Sequence, residues 1–521
     1  MKPDRSLVTL SLTDMARHLA SGEVSSRELA LAHLERLDAI QPRLRPMAAI
    51  FHERALGLAD AADRRRREGR ARSALDGAPL TLKENLDVAG ERTTLGLPKR
   101  KDHRASEDAV VVSLLKEAGC VLLGKSNLSQ AMLFHESRNP LFGETKNPFD
   151  ESRTPGGSSG GEACAVAAYG SPAGIGTDIG GSIRVPAHFC GVFGLKPTVD
   201  RISNLGVGSG IPGQEVVRGQ LGPLARSAED LALLLEVLSP EACSERDPRV
   251  PPLPLPSSGS VDVKGLRVGF FVEDGVLAPS RAVRRATERA RAVLEDAGCV
   301  LVPFHPPLCE ELVFTYLAAL SADGAETLGA LVDRQDLDPA LGLLWTLARL
   351  PEAPKKAAGL GFTLVGDRLL GRMLEVVGQK SVAELWRLTA RARQIQAAAF
   401  AAWNHHALDA VLCPPHATPA LPHGRSRDFT LGGALSIRYN FLNLPAGVAP
   451  VTTVRADEQR RELAATRLEK RAAEVDAGSA GLPVGVQVVA RPFREEVVLR
   501  LLAVLEEGLR GDEGFPRAPL P

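Results

Sequence analysis

At 521 residues and 44% apolar content the chain can bury a large core, and its 63 basic and 63 acidic residues leave no net charge, which excludes nucleic acid and acidic membrane surfaces as expected partners. The seven cysteines are scattered with no C-x-x-C pair, which excludes a disulfide framework or a zinc site and leaves buried free thiols. The first residues hold no long apolar run and no window approaches about 18 uninterrupted apolar residues, so the expected location is the cytoplasm.

In "SLTDMARHLASGEVSSRELALAHLERLDAIQPRL" apolar residues recur at three- and four-residue spacing, which predicts two helices. Ser11 or Thr13 is placed to cap the first, Gly22 to end it, and Ser25 or Ser26 to cap the second. A third helix is expected over 47–68, ending in the basic run Arg64 to Arg67 as a solvated terminus. Residues 1–75 therefore read as a helical N-terminal layer on an α/β core over 76–521, the whole forming a single domain.

Beyond Gly77 the texture changes. "APLTLKENLDVAG" is a short apolar strand interrupted by Lys83 and Glu84. "DAVVVSLLKEAGCVLLGKSNLS" reads as a helix, a stop at Gly119 and a buried strand, and the same order returns in "RAVLEDAGCVLVPF". "GLRVGFF", "LDAVLCPP", "AGVAPVTTV" and "LPVGVQVVA" are further strands. Strands alternating with helices predict a mostly parallel or mixed sheet covered on both faces. The Pro- and Ser-rich stretch 239–260 reads as a surface connection. The charged stretch 455–481 reads as a solvent-exposed insertion.

The densest signal runs from Thr154 to Thr198: "TPGGSSGGEACAVAAYGSPAGIGTDIGGSIRVPAHFCGVFGLKPT". Two Gly-Gly-Ser segments are joined by a small-residue helix, for which Gly170 is the expected stop. Gly157-x-Ser159-x-Gly161 matches a nucleophile elbow only formally, because a polar, Pro-punctuated segment stands where that motif needs a strand. Gly208-x-Gly210-x-x-Gly213 lacks an upstream strand and contains Pro212, so it reads as a loop. Ser113 and Lys116 belong to a helix surface, and the adjacent His405 and His406 lack metal-ligand spacing.

Ser182, behind two glycines and between Asp178 and Arg184, has the setting of a nucleophile. No histidine lies close by to take its proton. A lysine can serve if burial lowers its pKa, and Lys83, inside an apolar strand, is the candidate. A lysine at a solvated strand end is the plain alternative, which the strand taken alone favours.

The run "GGSSGGE" followed by "GTDIGGSIRVPAHFCGVFGLKPT" resembles the hallmark of the amidase signature family of serine hydrolases. "PLTLKENLDVAG", "NPLFGETKNPFD" and "LPVGVQVVARPFREEVVLRLLAVLE" resemble its flanking segments. The resemblance implies an α/β fold in which a large mixed, twisted sheet lies between helices, and no cofactor. It implies a Ser–cis-Ser–Lys unit: Ser182 as nucleophile, Ser158 as bridging serine after a cis peptide, and Lys83 as base. It also implies an oxyanion hole of backbone N–H groups at Ile179, Gly180, Gly181 and Ser182. Asp178 and Arg184 then act as scaffold for the loop, and Ser159 and Thr177 orient the relay.

"GGSSGGE", "DIGGSIR" and "NPLFG" look most similar to the fatty acid amide hydrolase branch, in which the position of Met132 lines the acyl pocket. Core packing accounts for Met132 equally well. Apolar segments at 341–350 and 360–374 are candidates to wall an acyl channel or to serve as core. The expected partner is a small-molecule amide, with no nucleic acid and no stable membrane insertion, and a homodimer stays open. An amidase-type subunit of a tRNA-dependent amidotransferase is the alternative function, and a non-catalytic ligand-binding homologue a further one.

Overall fold

The computed structural model describes residues 5–461, 464 and 466–518. The described strands of the main sheet are β1 (Met47–Ile50), β2 (Pro79–Lys83), β3 (Val121–Ser126), β4 (Ala173–Asp178), β5 (Phe193–Lys196), β6 (Gln220–Ala225), β7 (Arg267–Phe270), β8 (Val300–Pro303), β9 (Ala410–Cys413), β10 (Ala446–Thr453) and β11 (Pro483–Ala490). They stand in the order β1-β3-β2-β4-β6-β5-β10-β11-β9-β7-β8. The sheet is mixed, as expected: β2 runs parallel to both β3 and β4, β4 antiparallel to β6, and β10 antiparallel to β11. Every residue of β2, β3, β9 and β11 is buried, because helices cover both faces there; the edge strand β8 stays partly open. Buried residues on both faces explain why these strands read as continuous apolar runs rather than alternating ones.

Local chemistry sets the helix starts. Ser11 and Ser25 each accept from the backbone three residues on, and Asp14 and Glu28 reach back to complete capping boxes. Thr13 instead hydrogen-bonds Asp230. Gly119 (φ 88°) and Gly298 (φ 94°) turn helix into strand at the two predicted places. At the end of the small-residue helix Gly160–Ala167, Tyr169 (φ 62°) takes the left-handed conformation, not Gly170. Gly170 is instead pressed against Leu37 and Ile40.

Three expectations are corrected. The segment 47–50 is not the start of the third helix. It pairs antiparallel with β3 and extends the sheet, and the helix begins at His52, so the N-terminal layer is not purely helical. The basic run is not wholly solvated: Arg64 and Arg67 are exposed, but Arg65 pairs with Asp76, which has no exposed surface, and Arg66 donates to Asp76 O at 2.8 Å. The stretch 455–481 is anchored rather than merely exposed. Its helix Arg467–Asp476 turns Ala472, Val475 and Asp476 inward, and Arg153 donates to Val475 O and Ala477 O. Arg285 also pairs with Glu458 at 2.5 Å.

Replacing Arg65 by Met leaves the Asp76 carboxylate buried with the Arg72 N–H but without its ion-pair partner. This substitution is expected to lower unfolding free energy by about 2 kcal/mol, whereas Arg64→Met shifts it by less than about 0.5 kcal/mol. Chemical denaturation of the two variants measures the difference.

Candidate active site

β2 delivers Lys83 into the interior, where its side chain has no exposed surface. Its Nζ lies 2.7 Å from Ser158 Oγ and 2.8 Å from Thr177 Oγ1. Ser158 opens the turn into the helix Gly160–Ala167, and the Gly157–Ser158 peptide is cis. Ser182 closes the loop that follows β4. The two serine segments, 24 positions apart in sequence, are joined where Ser159 N–H donates to Ser182 O at 3.1 Å. Ser159 Oγ also donates to Thr177 O at 3.2 Å. Ser158 and Ser182 line one cavity of about 420 Å³. No hydrogen bond joins their side chains, and the Ser182 hydroxyl has no partner among the described residues.

Burial pushes the Lys83 pKa down to about 7, while Asp178 and Glu162 pull the other way. The lysine is thus neutral in a large part of the population near neutral pH. Asp178 cannot hold it charged by itself, because its carboxylate is already saturated. Asp178 accepts from the N–H groups of Gly181 (2.7 Å) and Ile183 (3.0 Å), from Arg184 Nε (3.1 Å) and Nη2 (3.1 Å), and from Asn440 Nδ2 (2.9 Å). Burial alone would raise the Asp178 pKa, but Arg184, Lys196 and the Ile183 N–H together hold it well below the usual carboxylate range. Arg184 is in turn fixed by Gln487 Oε1 (3.0 Å) and Asn440 Oδ1 (2.6 Å). This network sets the path of residues 178–184 and so aims Ser182.

The loop's backbone donors are unequal. Gly181 N–H is committed to Asp178, so it is not free as one of the four expected oxyanion donors; those of Gly180 and Ser182 have no partner among the described residues. Gly181 sits at φ 109°, where a side chain is strained, and a Cβ there would strike Ser436. Gly180 O accepts from His135 Nε2 at 3.1 Å, which fixes that peptide's orientation. Burial lowers the His135 pKa and keeps the ring neutral.

Met132 (φ 62°) lines the same cavity as the two serines, as do Ile179 and Asn85. A second cavity of about 150 Å³ begins at Gly180 and is walled mostly by apolar side chains, among them Leu341, Leu344 and Trp345. Leu133 and Ile211 border both cavities. Of the segment 341–350, Leu341, Leu344, Trp345 and Ala348 line this cavity, and Leu341 also packs in a core cluster. The segment 360–374 does not line it: Leu360 and Leu364 are exposed on the helix Glu352–Leu364, whereas Leu374 is buried and Leu369 and Met373 pack against the core, the other placement expected.

Glu162, His135, Tyr316, Asn440 and Gln487 went unassigned in the sequence. Glu162 carried a readable signal, a single carboxylate in an otherwise small and apolar helix. Fully buried, it accepts from Thr81 and Ser126, and burial raises its pKa to about 7. Among the described residues one group has metal-ligand spacing: Glu136, Glu144 and His423. The Arg138 guanidinium lies 3.9 Å from Glu136 and 3.6 Å from Glu144 and supplies the positive charge there.

A family model described as amidase matches residues 28–499. The chain belongs to the amidase family. This amidase is 35% identical over 508 residues to fatty-acid amide hydrolase 1 of Sus scrofa, covering 96% of this chain and 86% of that one. It is 34% identical over 505 residues to a glutamyl-tRNA(Gln) amidotransferase subunit of Chloroflexus aggregans, covering 94% and 95%. A solved fatty acid amide hydrolase structure superposes with a TM-score of 0.85 at 25% identity, covering 97% of this chain and 86% of that one. The amidase is thus a hydrolase of amide bonds. No helix among its described residues is long and apolar enough to cross a membrane.

Gly181→Ala is expected to cost about 1–3 kcal/mol of stability from the strained φ. Gly180→Ala has no positive-φ strain but puts its Cβ against the hydroxyl of the buried Tyr316, so the whole ring must shift; it should cost about 1–3 kcal/mol by overpacking, and activity falls in both. Denaturation curves run beside activity assays separate the two effects.

Proposed function

We propose that this amidase cleaves linear carboxamides with apolar acyl or aryl groups, like the fatty acid amide hydrolases, to a carboxylic acid and ammonia or an amine. The observation that carries this reading is the 2.7 Å contact between the buried Lys83 amine and Ser158 Oγ. Neutral Lys83 takes the Ser158 proton as Ser158 takes that of Ser182. Rotation of the Ser182 side chain about its Cα–Cβ bond closes the missing contact, a tightening common when substrate enters. Ser182 Oγ then attacks the amide carbon. The N–H groups of Gly180 and Ser182, with Ile179, receive the developing oxyanion, each donor being worth about 2.7–4 kcal/mol. Lysine returns the proton through Ser158 to the departing nitrogen, the C–N bond breaks, and water opens the acyl-enzyme by the same relay in reverse.

The apolar cavity beyond Gly180 supports an acyl or aryl group on that side of the reacting carbon. The likeness to an amidotransferase subunit supports a second reading, in which the amide is glutamine and partner proteins receive the ammonia. A stable complex with companion proteins and charged tRNA in a pull-down would favour it; a free chain that turns over simple amides would end it.

Purified chain is expected to hydrolyse acyl and aryl amides without added metal or nucleotide, and Ser182→Ala to abolish this. Lys83→Met should lower kcat/KM by about 10²–10⁴. Because the base works only when neutral and its pKa lies at about 7, kcat/KM should rise about tenfold per pH unit below that value and level off above it. A profile flat from pH 5 to 8 would contradict the assignment.

A further inference from the structure

Most of the wall of the smaller cavity is apolar, and its charged groups, Asp323 and Arg427, sit at an exposed rim. Tyr316 is different. It projects from the helix Cys309–Leu320 into the cavity where the cavity meets Gly180. The residue is only 6% exposed. A Cβ added to Gly180 would collide with its hydroxyl. Yet that hydroxyl makes no hydrogen bond among the described residues. His135, which lines the same cavity, is already committed to Gly180 O, and Ile437, also close to Gly180, is apolar.

A tyrosine hydroxyl that faces a cavity with no protein partner is open to a polar atom of whatever fills that space, a role phenylalanine of the same shape could not serve. Burial raises the tyrosine pKa above its ordinary value, so the group remains a donor throughout the physiological range. Gly180 is two residues from Ser182, a separation of at most about 7 Å along the backbone. An acyl group held on Ser182 and running into the smaller cavity past Gly180 meets the Tyr316 hydroxyl within its first few carbons.

We propose that Tyr316 is a specificity-determining residue that donates its hydroxyl hydrogen to an oxygen on the second or third carbon of the acyl group, so that 2-hydroxy-, 3-hydroxy- or 3-oxo-acyl amides are the favoured substrate class. This rests on the amide-hydrolase reading with the acyl group in the smaller cavity. A site built to hydrogen-bond a substrate oxygen rejects the analogue lacking it, because its own polar group is then left unpaired.

The test compares p-nitroanilides of one chain length, decanoyl against 2-hydroxydecanoyl, 3-hydroxydecanoyl and 3-oxodecanoyl, on wild type and on Tyr316→Phe. Wild type should prefer at least one oxygenated substrate by about tenfold or more in kcat/KM. Tyr316→Phe should bring that ratio to within twofold of one, while fluorophosphonate labelling of Ser182 reports that the variant is folded. A wild-type ratio near one for all three oxygenated chains overturns the inference whether or not the variant folds. A ratio preserved in a labelled Tyr316→Phe protein overturns it too, as does an equal loss on plain and oxygenated substrates. Turnover of plain decanoyl anilide without any preference sinks the inference and spares the hydrolase reading; no turnover of any anilide by wild type sinks both.

Discussion

A lysine side chain cut off from water, ending on a serine hydroxyl, is the constraint around which the rest of this site is arranged. An ammonium group in that position lacks both bulk solvent and a carboxylate in direct contact. Two carboxylates are close enough to act on it, and each is restrained. Asp178 spends its lone pairs on Arg184, Asn440 and the backbone of its own loop. Glu162 is itself pushed toward its neutral form by burial. The positive form of Lys83 is thus destabilised without any one group forbidding it, which is the condition a proton carrier needs near neutral pH.

The same residues couple chemistry to shape. Asp178 and Arg184 form an ion pair with no exposed surface on either side chain, and its value lies in geometry more than in stability. Through Gly181 and Ile183 it bends the loop so that Ser182 lies on one cavity while Gly180 opens onto the next. His135 steadies the Gly180 peptide from the opposite side. A reacting carbonyl held at this loop would have a larger space of mixed polar and apolar lining on one side and a narrower, more apolar cavity on the other.

The strands β2, β3 and β7–β11 were legible because most of them are buried on both faces and appear as unbroken apolar runs, most entered through a glycine or proline; β4, β5 and β6 were not marked out, because glycines and polar residues interrupt their runs. β1 was missed because "MAAI" is short and flows into a helix whose apolar residues continue the same spacing. Arg65 and Arg66 read as solvated because their partner, Asp76, stands eleven and ten positions on, across a turn. In the site, the glycine-rich serine segments stood out locally, but strand chemistry alone leaned toward a solvated Lys83, and only the resemblance to the amidases brought it inward. Asn440, Gln487, His135 and Tyr316 carried no local signal. They come from distant parts of the chain and are of types that satisfy ordinary packing, so only the fold reveals what they touch.

The most direct measurement of the central claim is the titration of Lys83 itself, followed by NMR of the chain labelled with ¹³C at lysine Cε and assigned by comparison with Lys83→Met. Burial also pushes Lys196 down to about 7, so the account predicts that, among the lysine resonances titrating near pH 7, one is lost in the variant and belongs to Lys83. A Lys83 resonance that stays in its charged position up to the ordinary lysine range near 10.4 would contradict it.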